Sequence, residues 1–184
     1  MGNLVNKYLL QAKENNQLVA IRTNSEDGDQ FSVGHLLRFN EDTISIKAIN
    51  PKGQPDGVFT IKTEDLYGID LDDQYIQKLE LKLKNFDKIY ESITLPNFYS
   101  DNDVNFEKIL LKAKEENQMI HINFCRNIGL YGVINELNSE EFAMKVYTSD
   151  GEPDGTSVFL IEDIKNINWD DEDIRFINIL KDKK

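Results

Sequence analysis

The chain has 184 residues with 33 acidic against 21 basic side chains, a formal net charge of −12. That balance excludes a chain-wide Lys/Arg footprint for a phosphate backbone and disfavours anionic membranes. Hydrophobic residues make up 40% and include 10 Phe and 7 Tyr, a composition that folds rather than stays disordered. Residues 101–184 hold 18 acids and 10 bases, residues 1–100 hold 15 and 11, so the acidity leans to the second half.

The lone cysteine, Cys125, allows no intrachain disulfide and fits a reducing compartment. No stretch approaches the ~20 apolar residues of a membrane span, and the first residues lack a signal-peptide apolar region. A cytoplasmic protein without membrane association is the expectation.

Leu4, Val5, Tyr8, Leu9 and Ala12 form one apolar helix stripe, which Asn15 and Asn16 end because Asn tolerates the left-handed region. Leu18–Ile21 predicts a strand. Phe31–Phe39 predicts a longer one with Gly34 inside it, a glycine that marks a bulge or a sharp bend, as at a barrel corner. Asn40-Glu41-Asp42 predicts a tight turn. Thr43–Ile49 then alternates Ile44, Ile46 and Ala48 against Ser45 and Lys47, with the period of a half-buried strand. Gly53-Gln54-Pro55-Asp56-Gly57 reads as a turn centred on Pro55 and Asp56, with Gly57 supplying a positive φ. Val58–Ile61 predicts a strand, and Leu66, Ile69 and Leu71 a last strand or turn. From Asp72-Asp73 a helix is predicted through Ile76, Leu79 and Leu83 to about Tyr90.

The same order recurs. Lys7–Gln17 matches Lys108–Gln118 at an offset of 101, and nine of sixteen positions from Lys7 to Arg22 are identical. From Gly34 onward the offset is 98, pairing Gly34 with Gly132, Asn40 with Asn138, and Gly53–Gly57 with Gly151–Gly155. The change of offset falls in the loop between Thr23 and Gly34, where a repeat tolerates insertion. The expected architecture is mainly β with flanking helices (α+β), as two tandem repeats. Residues 1–92 form the first unit with a C-terminal helix, 93–103 a linker, and 104–184 the second unit. Each unit is an N-terminal helix plus five short, strongly bent strands, a pattern of small barrels.

Gly34-x-Leu36-x-x-Phe39-Asn40 and Gly132-x-Ile134-x-x-Leu137-Asn138 resemble the first Sm motif. Glu64-Asp65-Leu66-x-x-Ile69 and Glu162-Asp163-Ile164-x-x-Ile167 resemble the closing strand of Sm-like and SH3-like barrels. The turn followed by Glu-Asp-apolar-x-x-Ile is also similar to a group of low-GC Gram-positive bacterial proteins to which the likeness attaches no activity. The resemblance implies a five-stranded barrel. It does not carry RNA binding over, because the RNA-contacting Asn and the Arg-Gly of the second Sm motif have no counterparts here.

Asp170, Asp171, Glu172 and Asp173 form an acidic run, read either as a solvated helix start or as a docking patch for a basic protein. Asp150, Glu152 and Asp154 echo the opening of a calcium loop, but position twelve is Ile161, so a hairpin turn is expected. His121 and Cys125 lie close in sequence without an orienting third group, and His35 has no counterpart in the repeat. Trp169 stands where the first unit has Leu71 and is expected in the core. No cofactor, metal or catalytic set emerges. The expected function is a non-enzymatic module that binds a protein partner or self-associates through barrel edges, with an Sm-like RNA-binding regulator as the alternative.

Overall fold

The computed structural model describes residues 2–23, 30–92, 105–125 and 128–183. The chain divides into two compact units, Met1–Phe86 and Asp87–Lys184. The linker expected at 93–103 and the variable loop at 24–29 lie outside the described residues.

The first unit opens with α1 (Asn3–Glu14), whose stripe buries Leu9 and Ala12. Asn16 follows it with φ of 50°, the left-handed conformation expected of it. Five strands come next: β1 (Leu18–Thr23), β2 (Gln30–Phe39), β3 (Thr43–Ile49), β4 (Pro55–Lys62) and β5 (Leu66–Asp70). They form one antiparallel sheet in the order β4-β3-β2-β1-β5. Helices α2 (Gln74–Lys84) and α3 (Phe86–Ile89) follow, the latter at the boundary between the units.

Each face of this sheet carries its own core. Leu9 of α1 packs with Val19, Ile21, Leu36, Ile44 and Ile46 on one face. Ile76 and Leu79 of α2 pack with Leu18, Ala20 and Val33 on the other. Neighbouring residues of β1 thus point to opposite cores, which is why its burial does not alternate. Ser45 is buried as well, its hydroxyl 2.9 Å from that of Thr60 on β4. A Cβ on Gly34 would land on the carbonyl oxygen of Lys47, so this glycine permits the close approach of β2 and β3.

The second unit has α4 (Phe106–Glu115), β6 (Ile120–Phe124), β7 (Gly129–Leu137), β8 (Glu141–Tyr147), β9 (Pro153–Leu160), β10 (Ile164–Trp169) and α5 (Glu172–Asp182). Its sheet runs β10-β6-β7-β8-β9. Leu110 and Ala113 of α4 cover one face, with Ile122, Phe142 and Met144 beneath them and Trp169 partly buried alongside, as expected for a core side chain. Ile174 and Ile177 of α5 cover the other face with Met119, Val133 and Tyr147.

Three expectations change. The sheets are open and not closed barrels: among the described residues β4 and β5 are terminal strands with no ladder joining them, and likewise β9 and β10. A 3₁₀ turn, Thr63–Asp65, leads β4 into the five-residue β5, whose ladder is taken up by β1. Closure needs strands long enough to stagger around a barrel.

The predicted turn also moves. The tight reversal is Asn50–Gly53, closed by the Gly53 amide donating to the Asn50 carbonyl at 2.9 Å, with Gly53 at φ 83°. The Asn50 side-chain oxygen accepts from the amides of Lys52 and Gln54. Pro55 instead starts β4, and Gly57, at the expected positive φ of 84°, sits in a bulge where the β3–β4 register slips. In the second unit Thr148 organises the turn before β9, its hydroxyl accepting from the amides of Asp150 and Glu152.

Third, the helix predicted to run to Tyr90 ends at Lys84. The Asn85 side chain donates back to the Leu81 carbonyl and breaks it before α3. The second unit also has a C-terminal helix, α5, which begins at the acidic run read as a helix start, although no helix range was expected there.

Candidate interaction edges

A strand at the end of a sheet presents unpaired amides and carbonyls, and proteins usually blunt such edges with charge or proline. β4 and β9 are such strands. Proline stands only at their first residues, 55 and 153, where the ladder loses nothing. The runs that follow, Val58–Ile61 and Thr156–Leu160, carry no charge. Val58 is 66% exposed and Val158 63% exposed, with Leu160 at 42%.

The side-chain rows beside these edges differ in chemistry. Across β2, β3 and β4 the register lines up Arg38, Ser45 and Thr60, and beside them Thr43 and Lys62. The corresponding row across β7, β8 and β9 is Glu136, Ala143 and Val158, with Glu141 opposite Leu160. One edge is therefore polar with basic ends, and the other is apolar with acidic ends. Lys62 is held by Glu64 at 3.1 Å, which raises the Lys62 pKa. On the second edge, Glu136, Leu137, Glu141, Ala143 and Val158 line a hollow of about 270 Å³. The tight turns between strands come from Asn40 and Asn138, whose side-chain oxygens accept from two amides each: Asp42 and Thr43, and Glu140 and Glu141. These are the two Asn residues of the Sm-like motif, and here they build the backbone.

The acidic run 170–173 takes several places. Asp170 has a left-handed φ of 55° and grips Arg175 with both carboxylate oxygens, at 2.9 and 2.6 Å. That hydrogen bonding is the largest cause raising the Arg175 pKa. Asp171 caps α5, accepting from the Ile174 amide at 2.8 Å. Asp173 accepts from the Tyr131 hydroxyl at 3.4 Å. Burial first, then Asp173 and Asp171, push Tyr131 up to about 12. Glu172 opens the first turn of α5. Asp170, Asp171 and Asp173 thus have partners within the second unit.

The other singled-out residues do not converge. His121 stacks on Tyr131, with ring centres 4.3 Å apart, and its Nδ1 lies 3.3 Å from the Asn168 side chain. Cys125 is exposed and lines a separate hollow of about 210 Å³ with Phe124, Ile128, Phe159 and Asp163. His35 lies on β2 of the other unit, its Nδ1 buried without a hydrogen-bond partner. Among the described residues no group of three or more His, Cys, Asp or Glu side chains is placed to hold a metal ion, and no helix is long and apolar enough to cross a membrane. The Asp150–Gly155 segment serves the turn: a Cβ on Gly151 would press on the Lys181 amide of α5 at 2.9 Å.

The row chemistry was missed in the sequence. The signal was present in the substitutions Arg38 to Glu136 and Lys62 to Leu160 at the offset of 98, but their joint placement needs the strand register. Comparison with known proteins finds no matching family, no similar curated protein and no similar solved structure.

Proposed function

We propose that this chain is a non-enzymatic protein-interaction module built from a duplicated α+β unit, and that its sheet edges take a strand from a partner. The observation that carries the reading is the pair of exposed terminal strands, β4 and β9, each with an uncharged run and no proline past its first residue. Strand addition to such an edge draws affinity from backbone hydrogen bonds and specificity from alternate side chains. The duplication is supported by the sequence offsets and by the identical strand order of the two sheets. The non-enzymatic reading is favoured because His35, His121 and Cys125 each keep different neighbours, so no nucleophile–base–orienter set forms from them.

The test is affinity capture with the full chain beside Val58→Lys and Val158→Lys, each of which puts a charge on one edge. A saturable protein partner held by the wild type and lost from one of these variants is the expected result. Equal retention by both variants would overturn the edge reading, as would capture of RNA with no protein.

A further inference from the structure

We propose that β9 is the working edge, and that its occupant is an extended segment of a partner protein with basic side chains at alternate positions. The proposal rests on the module reading above and names the partner chemistry for one of its two edges.

The hollow beside β9 has an apolar floor of Ala143 and Val158 and two carboxylates, Glu136 and Glu141, at its rim, and no basic side chain lines it. A strand added to β9 projects every second side chain onto this face. A Lys or Arg there lays its aliphatic stem over Val158 and Ala143 and brings its charge to Glu136 or Glu141, on the strands behind. An aliphatic side chain fits the floor but leaves the carboxylates without a counter-charge, and an acidic one is repelled.

The β4 edge offers the opposite surface. Arg38 and Lys62 stand at the places of Glu136 and Leu160, and Ser45 and Thr60 bond to each other where β8 and β9 have Ala143 and Val158. A second copy of the chain is a poorer occupant. Its β9, Pro153–Leu160, brings no basic side chain, and the Lys62 of its β4 is already paired with Glu64.

The probe is a short synthetic peptide alternating Lys and Val, titrated into isotope-labelled full-length protein and followed by amide NMR. A peptide alternating Glu and Val is the control. Shifts at residues 156–160 that saturate with the Lys peptide, weaken with added salt and are absent with the Glu peptide are expected. The double variant Glu136→Gln, Glu141→Gln lowers the affinity about tenfold. Val158→Thr, which restores the residue type of the β4 row, also weakens it. Shifts confined to β4, equal binding of the two peptides, or no shift overturn the proposal. So does concentration-dependent dimerisation through β9 without peptide. If the peptide fails but a captured partner is still lost from Val158→Lys, the edge reading stands and the basic segment is wrong. If no captured partner responds to either edge variant, the module reading fails with it.

Discussion

Tyr131 shows how one side chain on β7 joins two elements. Its ring stacks on His121 of β6 and its hydroxyl donates to Asp173 of α5. Burial and the acids of the α5 start hold its hydroxyl protonated up to about pH 12, against an ordinary value of 10.0. The sign of the pH effect follows. Between pH 10 and 12 the unfolded chain gives up this proton first, so unfolding is favoured as pH rises through that window. The stabilisation is whole below about pH 10 and is lost on approach to about 12. Tyr131→Phe keeps the ring and removes the ionisation. Thermal midpoints measured from pH 9 to 12 should therefore fall less steeply in the variant than in the wild type. Parallel slopes would show that Tyr131 ionises alike in the folded and unfolded chains.

At the scale of elements, the two C-terminal helices use one design with different side chains. Asp73 and Asp171 cap α2 and α5 in the same way. The residue before each cap, Asp72 and Asp170, takes a left-handed φ. On α2, Gln77 reaches back to the Asp72 carbonyl at 2.7 Å. On α5, Arg175 reaches back to the Asp170 carboxylate and also donates to the carbonyls of Ile89 at 3.3 Å and Glu91 at 2.7 Å. Its side chain is only 13% exposed, so it ties the 89–91 segment to α5 inside the second unit. Arg175→Gln should cost about 1–2 kcal/mol, allowing for solvent screening at the part-exposed Asp170. Urea unfolding measures the loss, and faster hydrogen exchange of the 89–91 amides should accompany it. Unchanged exchange there would mean that other contacts hold the segment. Little of this was legible in the sequence. Alternation and Gly34 marked the strands because backbone constraints act locally, and the Asp pairs marked where α2 begins. The tight turn at Asn50 was displaced by the louder Pro-Asp-Gly signal, which makes a bulge instead. That the sheets stay open was not readable, because closure depends on how far β5 reaches and not on any residue type. The acidic run was legible as a helix start, but not its pairing with Arg175 and Tyr131, which lie outside it.

For the whole molecule the question is which partner class a chain of net charge −12 admits. Association with a phosphate backbone grows with the number of phosphates neutralised, and each such contact adds to the salt dependence. The face best suited to it is the outer row of the first sheet, with Arg38 and Lys62 at its ends, and Lys62 already has Glu64 for a partner. The excess of acids is greater in the second half, where a polyanion would be repelled before any contact formed. The same field draws a basic protein segment toward β9 and its two glutamates, so one charge distribution separates the two function classes. A fluorescent single-stranded RNA titrated with the full chain at low ionic strength should show no change in anisotropy, while the Lys-rich peptide binds under the same conditions. RNA binding that weakens steeply with salt and disappears in Arg38→Gln would reverse the assignment. It would make the first sheet's basic row the functional surface and favour the alternative reading of an RNA-binding regulator.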